Sequence, residues 1–273
     1  MTRSPQLSHI IFSLLIISLI SIASAKNPTP SAPPANRVDA QTKTKAMKSY
    51  ANLPLAFVSN QGQMDSTVRF YTQGPGGALY FTADGIISDI VQSVKPSAPK
   101  TSPKNKNSET VITKHLVLKK HFLHTNPQCE ILGEAELPGK INYLTGSNPS
   151  GSISNIRTYQ QVRYKNLYPG IDLVYFGTLG KLQYRFEIDP SAHSDAKLSP
   201  ISQIQFTMEG ASKLRKKLNG TLLIYTPMGT LVDKKPEASQ LSRSIPAHYT
   251  LLNKNTAAYS VGPYDTQKLL TIQ

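Results

Sequence analysis

Two acidic residues, Asp172 and Glu187, are the first candidates for chemistry in this 273-residue chain. They are the only carboxylates in two neighbouring strand-like runs, 171–176 and 182–188. If these runs form a hairpin, the two side chains approach each other, and paired carboxylates can carry out glycoside hydrolysis. Asp172, however, follows a Pro-Gly step, where an aspartate side chain commonly hydrogen-bonds the amides of a turn. Structural anchoring is therefore the favoured interpretation, and a catalytic pair is the alternative.

Three histidines, His115, His121 and His124, lie close to Cys129 in the sequence and are the only cluster with metal-ligand chemistry. On a strand His115 and His121 share one face while His124 lies on the other, so one strand cannot supply the convergent ligands that zinc requires. A single cysteine also excludes an internal disulfide framework and a cysteine-rich metal site. We therefore expect no metal and no other cofactor. Cys129 is either a small buried side chain or an exposed thiol that can bridge to another molecule.

The remaining candidate ligand contacts are tyrosines and amides. The 13 tyrosines can form an aromatic platform for a sugar, although packing in strand cores is the commoner use of such rings. Three amide side chains lie in a glycine-containing turn and are suited to bonding a ligand or, as we favour, the chain itself. The residues expected to contact a ligand, if one binds, are Asn60, Gln61, Gln63, Tyr168, Asp172, Tyr175 and Tyr184.

The elements that must position these residues are predicted to be strands. Apolar residues recur with a period of two from Leu53 onward, and no stretch sustains a period of 3.6. The clearest hairpin turns at Gly177 to Gly180, and Asn219-Gly220 predicts a second. We count about ten to fourteen short strands, which is typical of antiparallel sheets packed face to face. The predicted fold class is all-β, an antiparallel β-sandwich or two packed sub-sandwiches.

The amino terminus has the pattern of a secretory signal peptide. Arg3 precedes an apolar run at 10–22, and Ala23-Ser24-Ala25 follows it as a small-residue exit site. The run is shorter than the roughly 20 residues that a spanning helix needs. We therefore expect a signal peptide at 1–25 with cleavage after Ala25, and no later stretch is long and apolar enough to be a transmembrane segment.

The chain carries 30 Lys and Arg against 16 Asp and Glu, a formal net charge of +14. Most of the excess lies in residues 26–48 and 93–120. Within these ranges, residues 26–45 and 94–109 are rich in Pro, Ser, Thr, Asn and Lys. Such segments bury too little surface to offset the entropy of ordering them. We predict a disordered linker at 26–48 and a flexible insertion at about 94–113 within a β-rich domain at 49–273. The alternative is electrostatic contact of 94–120 with an anionic surface, without specific recognition of nucleic acid.

Four segments together resemble a known family. They are Leu53 to Gln63, Lys140 to Pro149, Val162 to Gly177, and Tyr184 to Phe186. In order and spacing they resemble the amino-terminal, β-rich domain of bacterial secreted proteins that carry SBBP (β-propeller-type) repeats, over roughly residues 50–273. The resemblance implies export and an all-β fold, and it implies no established catalytic residue. Members of that family usually continue into the repeats beyond the position of Gln273, so we expect a chain without them to lack the display role that a propeller completes.

These observations lead to one functional hypothesis and two alternatives. The sequence contains no nucleophile elbow, zinc-protease motif, P-loop or Rossmann glycine run, so a non-enzymatic role is favoured. We expect an exported β-sandwich module for structural, adhesion or assembly contacts with a protein or glycan at the bacterial envelope. Its location would be periplasmic, at the cell surface or extracellular, and its oligomeric state is open. The alternatives are a carbohydrate-binding or carbohydrate-cleaving protein, and an electrostatic binder of anionic surfaces.

Overall fold

The structure is a computed structural model of the chain. It describes residues 55–74, 76–94, 112–144, 151–178, 180–193 and 200–273. The expected signal peptide, the expected linker and most of the expected insertion lie outside these residues. The regular secondary structure of the described residues is almost entirely β-strand, with short 3-10 turns at Pro190–His193 and Pro200–Gln203. Among the described residues, no helix is long and apolar enough to cross a membrane. The prediction of an all-β, antiparallel fold is confirmed.

Nine strands lie in the first part of the described chain. They are β1 (Phe57–Ser59), β2 (Val68–Gly74), β3 (Gly77–Thr82), β4 (Gly85–Val94), β5 (Ile112–Phe122), β6 (Glu130–Tyr143), β7 (Ile153–Tyr168), β8 (Ile171–Thr178) and β9 (Lys181–Ile188). Most are rich in the aromatic and β-branched residues that favour a pleated, half-buried surface. The predicted hairpin at Gly177 to Gly180 is confirmed, although the strands run further into the turn, so that Thr178 pairs with Lys181.

Nine more strands follow. They are β10 (Gln205–Glu209), β11 (Lys213–Lys216), β12 (Leu222–Thr226), β13 (Gly229–Asp233), β14 (Ala238–Gln240), β15 (Arg243–Ile245), β16 (Ala247–Leu251), β17 (Thr256–Val261) and β18 (Leu270–Ile272). The predicted Asn219-Gly220 turn joins β11 to β12, and Gly220 has a φ of 86°, a backbone conformation that glycine adopts without strain.

One large antiparallel sheet contains fifteen of the strands. Fourteen of them follow the order β15-β14-β18-β9-β8-β7-β1-β2-β3-β4-β5-β10-β17-β16, and β6 pairs only with β7. The two ends of this path, β15 and β16, are consecutive in the chain and are separated only by Pro246. The backbone N–H of Gly262 donates to the carbonyl oxygen of Pro246 at 2.7 Å. The sheet therefore nearly closes on itself, with Pro246 at the junction.

The nearly closed sheet is flattened, because rings from opposite sides meet in its interior. Phe186 of β9 contacts Tyr259 of β17, with ring centroids 5.1 Å apart, although these strands lie far apart in the sheet order. Phe81 of β3 likewise contacts Tyr175 of β8 at 5.2 Å. Such contacts join the two halves of the sheet into one hydrophobic core, as in a β-sandwich.

A smaller sheet, β11-β12-β13, covers part of this core and is called the cap sheet below. Leu214, Leu222 and Ile224 of the cap sheet are buried in the same core as the sandwich. The backbone N–H of Leu214 donates to the carbonyl oxygen of Lys254 at 2.7 Å, which ties the cap sheet to the loop after β16. The cap sheet ends at Asp233, whose side chain reaches strands β5 and β9.

Candidate functional site

Asp172 and Glu187 meet as the hairpin predicted, since they are direct partners in the β8–β9 register. Arg163 of β7 bridges them: its Nη1 lies 2.9 Å from Asp172 Oδ2 and 2.7 Å from Glu187 Oε2. The Nε of Arg163 donates to Glu134 of β6 at 2.6 Å. Asp172 Oδ1 also accepts the backbone N–H of Asn166 at 2.8 Å, which is the turn anchoring that the sequence favoured.

The charges around this guanidinium favour ion pairing over acid–base catalysis. Burial alone raises the pKa of Glu187, but hydrogen bonds from Arg163 and Arg185 outweigh it, and the net pKa is lowered. A general acid in a glycosidase needs a raised pKa instead. We call Glu134, Arg163, Asp172, Arg185 and Glu187 the Arg163 cluster. Its contacts join four neighbouring strands, β6 to β9, and support the anchoring interpretation of Asp172 and Glu187.

The candidate tyrosines are largely buried, which leaves little ring surface for a sugar. Tyr168 is 0% exposed and Tyr175 is 2% exposed. The hydroxyl of Tyr168 donates to the carbonyl oxygen of Leu123 at 2.9 Å, across the interior of the sandwich. Tyr184 also points inward and contacts Phe186 and Tyr259. These rings serve as core and cross-layer contacts in this structure.

The amides at the β1–β2 turn bond to their own chain. Asn60 Nδ2 donates to the carbonyl oxygens of Asp65 and Val68, both at 2.8 Å, and its Oδ1 accepts the backbone N–H of Gly62 at 3.0 Å. Gln63 accepts from the backbone N–H of Gln61 at 2.7 Å. The amides thus stabilise this turn, which is the use that the sequence analysis favoured.

The three histidines do not converge. His115 Nδ1 lies 3.2 Å from Asp89, and His121 Nδ1 lies 2.8 Å from Asp84. The two histidines are on the same face of β5 but towards opposite ends of the strand. His124 follows the end of β5 with a φ of 56°. Within the described ranges, no three His, Cys, Asp or Glu side chains are grouped so that they could hold a metal ion.

Cys129 is half-buried and packs against the main core. Burial, together with the negative charges of Asp172 and Glu130, raises the pKa of its thiol to about 11. The thiolate is the nucleophilic and metal-binding form of cysteine, so Cys129 is a poor nucleophile at neutral pH. Of the two sequence-based interpretations, the geometry favours the small core side chain.

Strand β6 is the surface that sequence reasoning missed. It pairs with β7 along one edge, and no described strand pairs with its other edge. It also carries exposed apolar side chains, with Leu132 41% exposed, Ile141 37% and Tyr143 38%. An open edge presents unpaired backbone groups on which another strand can pair. Its sequence signal is weak because Gly133, Pro138 and Gly139 interrupt the run.

A second missed feature is a charged side chain inside the sandwich. Lys120 of β5 lies on the same strand face as buried Leu118 and Phe122, and its side chain is only 11% exposed. The lysine-rich composition of 94–120 predicted a solvated side chain at position 120, and that prediction was wrong. The alternation of apolar residues at 116, 118 and 122 was the signal that position 120 points inward.

The surroundings of Lys120 are aromatic hydroxyls, rings and one carboxylate. We call Lys120, Tyr184, Phe206, Asp233, Tyr249 and Tyr259 the Lys120 cluster. The Nζ atom lies 4.3 Å from the ring centroid of Phe206, and it donates to the hydroxyl of Tyr259 at 3.3 Å. The hydroxyls of Tyr184 and Tyr259 are 2.7 Å apart. Burial raises the pKa of Tyr184 well above its usual value, so this hydroxyl stays protonated and can donate.

Comparison with known proteins places the chain in a family. Residues 57–273 match the family described as Domain of unknown function (DUF7948). The chain belongs to this family. The matched range begins at the first residue of β1 and includes every described strand, so the family unit is the sandwich together with the cap sheet. No curated protein and no solved structure matches the chain.

Proposed function

We propose that this chain is an exported, non-enzymatic β-sandwich module that makes structural, adhesive or assembly contacts at the bacterial envelope. Export is supported by the signal-peptide pattern at 1–25, and the resemblance to the amino-terminal domain of SBBP-repeat proteins is part of the same proposal. The observation that carries it is the open edge of β6, to which a partner protein adds a strand by β-augmentation.

The open edge has two parts. Ala135 has a φ of 53° and the β6–β7 register shifts between Glu136 and Lys140, around Pro138. Irregularities and prolines of this kind limit uncontrolled edge-to-edge pairing. The register shifts again between Ile141 and Tyr143. The edge therefore offers one regular segment at 130–134 and a shorter, irregular one at 140–143, instead of one long template. This division favours a short partner strand over extended aggregation.

The exposed side chains of β6 give the edge an apolar character. Exposed apolar residues beside free backbone groups are the combination that strand addition uses, since backbone hydrogen bonds give affinity and side-chain contacts give specificity. The fully exposed Leu218 lies in the turn between β11 and β12, outside any strand. Leu218 is therefore the matched apolar control.

Site-specific photo-cross-linking in the bacterium that produces the protein tests the proposal. A photoreactive residue replaces Leu132 in one variant, Ile141 in a second and Leu218 in the control. We expect a discrete protein adduct from positions 132 and 141 and none from 218. Replacing the second apolar position with lysine, as in Ile141→Lys, should reduce the adduct at 132 several-fold. Equal labelling at all three positions would refute a partner site at β6.

Retention of the protein in the cytoplasm, measured by fractionation, would refute the exported location separately. Hydrolysis of a glycan by the purified chain, lost in Asp172→Asn, would refute the non-enzymatic role. We expect no hydrolysis, because the contacts of the Arg163 cluster lower the pKa of Glu187, whereas a general acid needs a raised one.

A further inference from the structure

Lys120 and Asp233 come from different sheets and meet at the boundary between them. Lys120 lies on β5 of the sandwich, and Asp233 is the last residue of β13 in the cap sheet. The Nζ atom lies 3.7 Å from Asp233 Oδ2, with the two side chains 11% and 27% exposed. An amine and a carboxyl group are thus held near contact distance in a mostly desolvated place.

The hydroxyl of Tyr184 stands between the two groups. It lies 3.4 Å from Lys120 Nζ and 3.4 Å from Asp233 Oδ2. It can donate to the carboxyl oxygen while it accepts from the amine, so it orients both. A phenol in this position can also relay a proton between them.

The surroundings of Lys120 Nζ lower the free energy needed to form the neutral amine. Aromatic rings lie on two sides of Nζ, with centroids 4.4 Å away for Tyr184 and 4.3 Å away for Phe206. Burial lowers the pKa of Lys120, and the attraction of Asp233 only partly offsets this. The interior therefore favours the neutral form of the Lys120 amine more than water does.

We propose that Lys120 and Asp233 form an intramolecular isopeptide bond in the folded protein. A proton first passes from Nζ to the carboxylate, which gives a neutral amine and a neutral carboxylic acid. The proton reaches Oδ2, the oxygen near both Nζ and the Tyr184 hydroxyl, so when the lone pair of Nζ attacks Cγ of Asp233 the carbonyl electrons move to Oδ1. The C–OH bond breaks, and the hydroxyl leaves as water with one proton from Nζ. The product is a secondary amide, and the step needs no oxidant, reductant or external substrate.

Such a bond would fix the cap sheet to the sandwich covalently. The chain has one cysteine and so no internal disulfide, and the amide would provide the cross-link that a disulfide provides elsewhere. This inference goes beyond the proposed function, and it is tested by mass alone, whether or not β6 binds a partner.

Peptide mapping of the purified full chain under denaturing conditions tests the bond. Trypsin cannot cleave after an acylated lysine, so the bond should join peptide 120–140 to peptide 218–234. The mass of the joined species should be one water less than the sum of the two peptides. In Asp233→Ala, peptide 218–234 should be released free, and cleavage after Lys120 should appear.

The matched control is Asp84→Ala, which removes the partner of the neighbouring Lys119 and should leave the joined species intact. If Asp233→Ala fails to fold, the digest of the unaltered chain still decides the question. Recovery of free peptide 218–234 with an unmodified Asp233 from most molecules of the unaltered chain would overturn the proposal and leave an ordinary ion pair.

Discussion

The Arg163 cluster and the Lys120 cluster are both built from bases and carboxylates, yet they lie in contrasting surroundings. Arg163 faces three carboxylates whose side chains are 23% to 36% exposed, on the outer surface of β6 to β9. Lys120 faces one carboxylate and several rings inside the sandwich. The outer cluster lowers the pKa of Glu187, whereas burial lowers the pKa of Lys120.

This difference shows how the surroundings give different roles to ion pairs of the same chemical type. In the outer cluster, hydrogen bonds and partial hydration stabilise the charged forms, so the pairs act as permanent anchors. In the interior, desolvation penalises the charged forms, so a single pair is costly unless each partner stays in place. The two clusters can be distinguished by removing one partner from each.

The largest effect is expected inside the sandwich. Asp233→Ala leaves the Lys120 ammonium without a carboxylate in an aromatic environment, and removal of one partner of such a buried pair costs about 3–5 kcal/mol of unfolding free energy. In molecules that carry the proposed isopeptide bond, the same substitution removes a covalent cross-link instead of an ion pair, which also lowers the unfolding free energy. Urea unfolding monitored by far-UV circular dichroism measures it.

Asp84→Ala is the matched control for this measurement. Asp84 pairs with Lys119 at 3.1 Å and lies 2.8 Å from His121, and all three side chains are partly exposed, on the face of β5 opposite to Lys120. Partly exposed pairs of this kind contribute about 1 kcal/mol or less each. If Asp84→Ala lowered the unfolding free energy as much as Asp233→Ala does, burial would not explain why the contacts of Lys120 matter more than those of Lys119.

A smaller loss is expected from the outer cluster. Arg163→Ala leaves Asp172 and Glu187 facing each other on adjacent strands without a bridging cation. We expect a loss of about 2 kcal/mol, since the guanidinium makes charge-assisted hydrogen bonds but its partners can be rehydrated. Arg163→Lys should recover only part of it, because an ammonium lacks the planar fork that contacts several carboxylates. Full recovery in Arg163→Lys would show that charge alone matters there.

Much of this architecture follows from the sequence. Alternation predicted the inward face of β9, with Phe186 and Ile188 buried, and the outward face with Arg185 and Glu187. Glycine-containing turns predicted the hairpins, because few residues other than glycine adopt a positive φ without strain. Local pattern was sufficient in these places because each strand has one face in the core.

Prediction from the sequence pattern failed where tertiary contacts override the local preferences of the residue types. Lys120 was assigned to solvent by its residue type, although its position in the alternation of β5 pointed inward. Strand β6 was missed because Gly133 and Pro138 disfavour strands, and only pairing with β7 stabilises the run. The β15–β16 junction at Pro246 depends on which strands become neighbours, and a period of two carries no information about that.

The smallest expected effect is the pH dependence of stability that the outer cluster contributes through Glu187. The pKa of Glu187 in the folded protein lies below its usual value of 4.5. An unfolded chain therefore binds a proton at this residue more readily, and the stability that Glu187 contributes is full above pH 4.5. It is lost as the pH falls through the lowered folded pKa.

Urea unfolding of the unaltered chain and of Arg163→Ala at a series of acidic pH values isolates this contribution. Other carboxylates with lowered pKa values, such as Asp84, are present in both chains and cancel in the difference. The difference in unfolding free energy between the two chains should shrink as the pH falls below 4.5, because Glu187 becomes neutral and Arg163 loses this charged partner. A difference that stays constant with pH would mean that Arg163 stabilises the strands through packing of its side chain and not through charge.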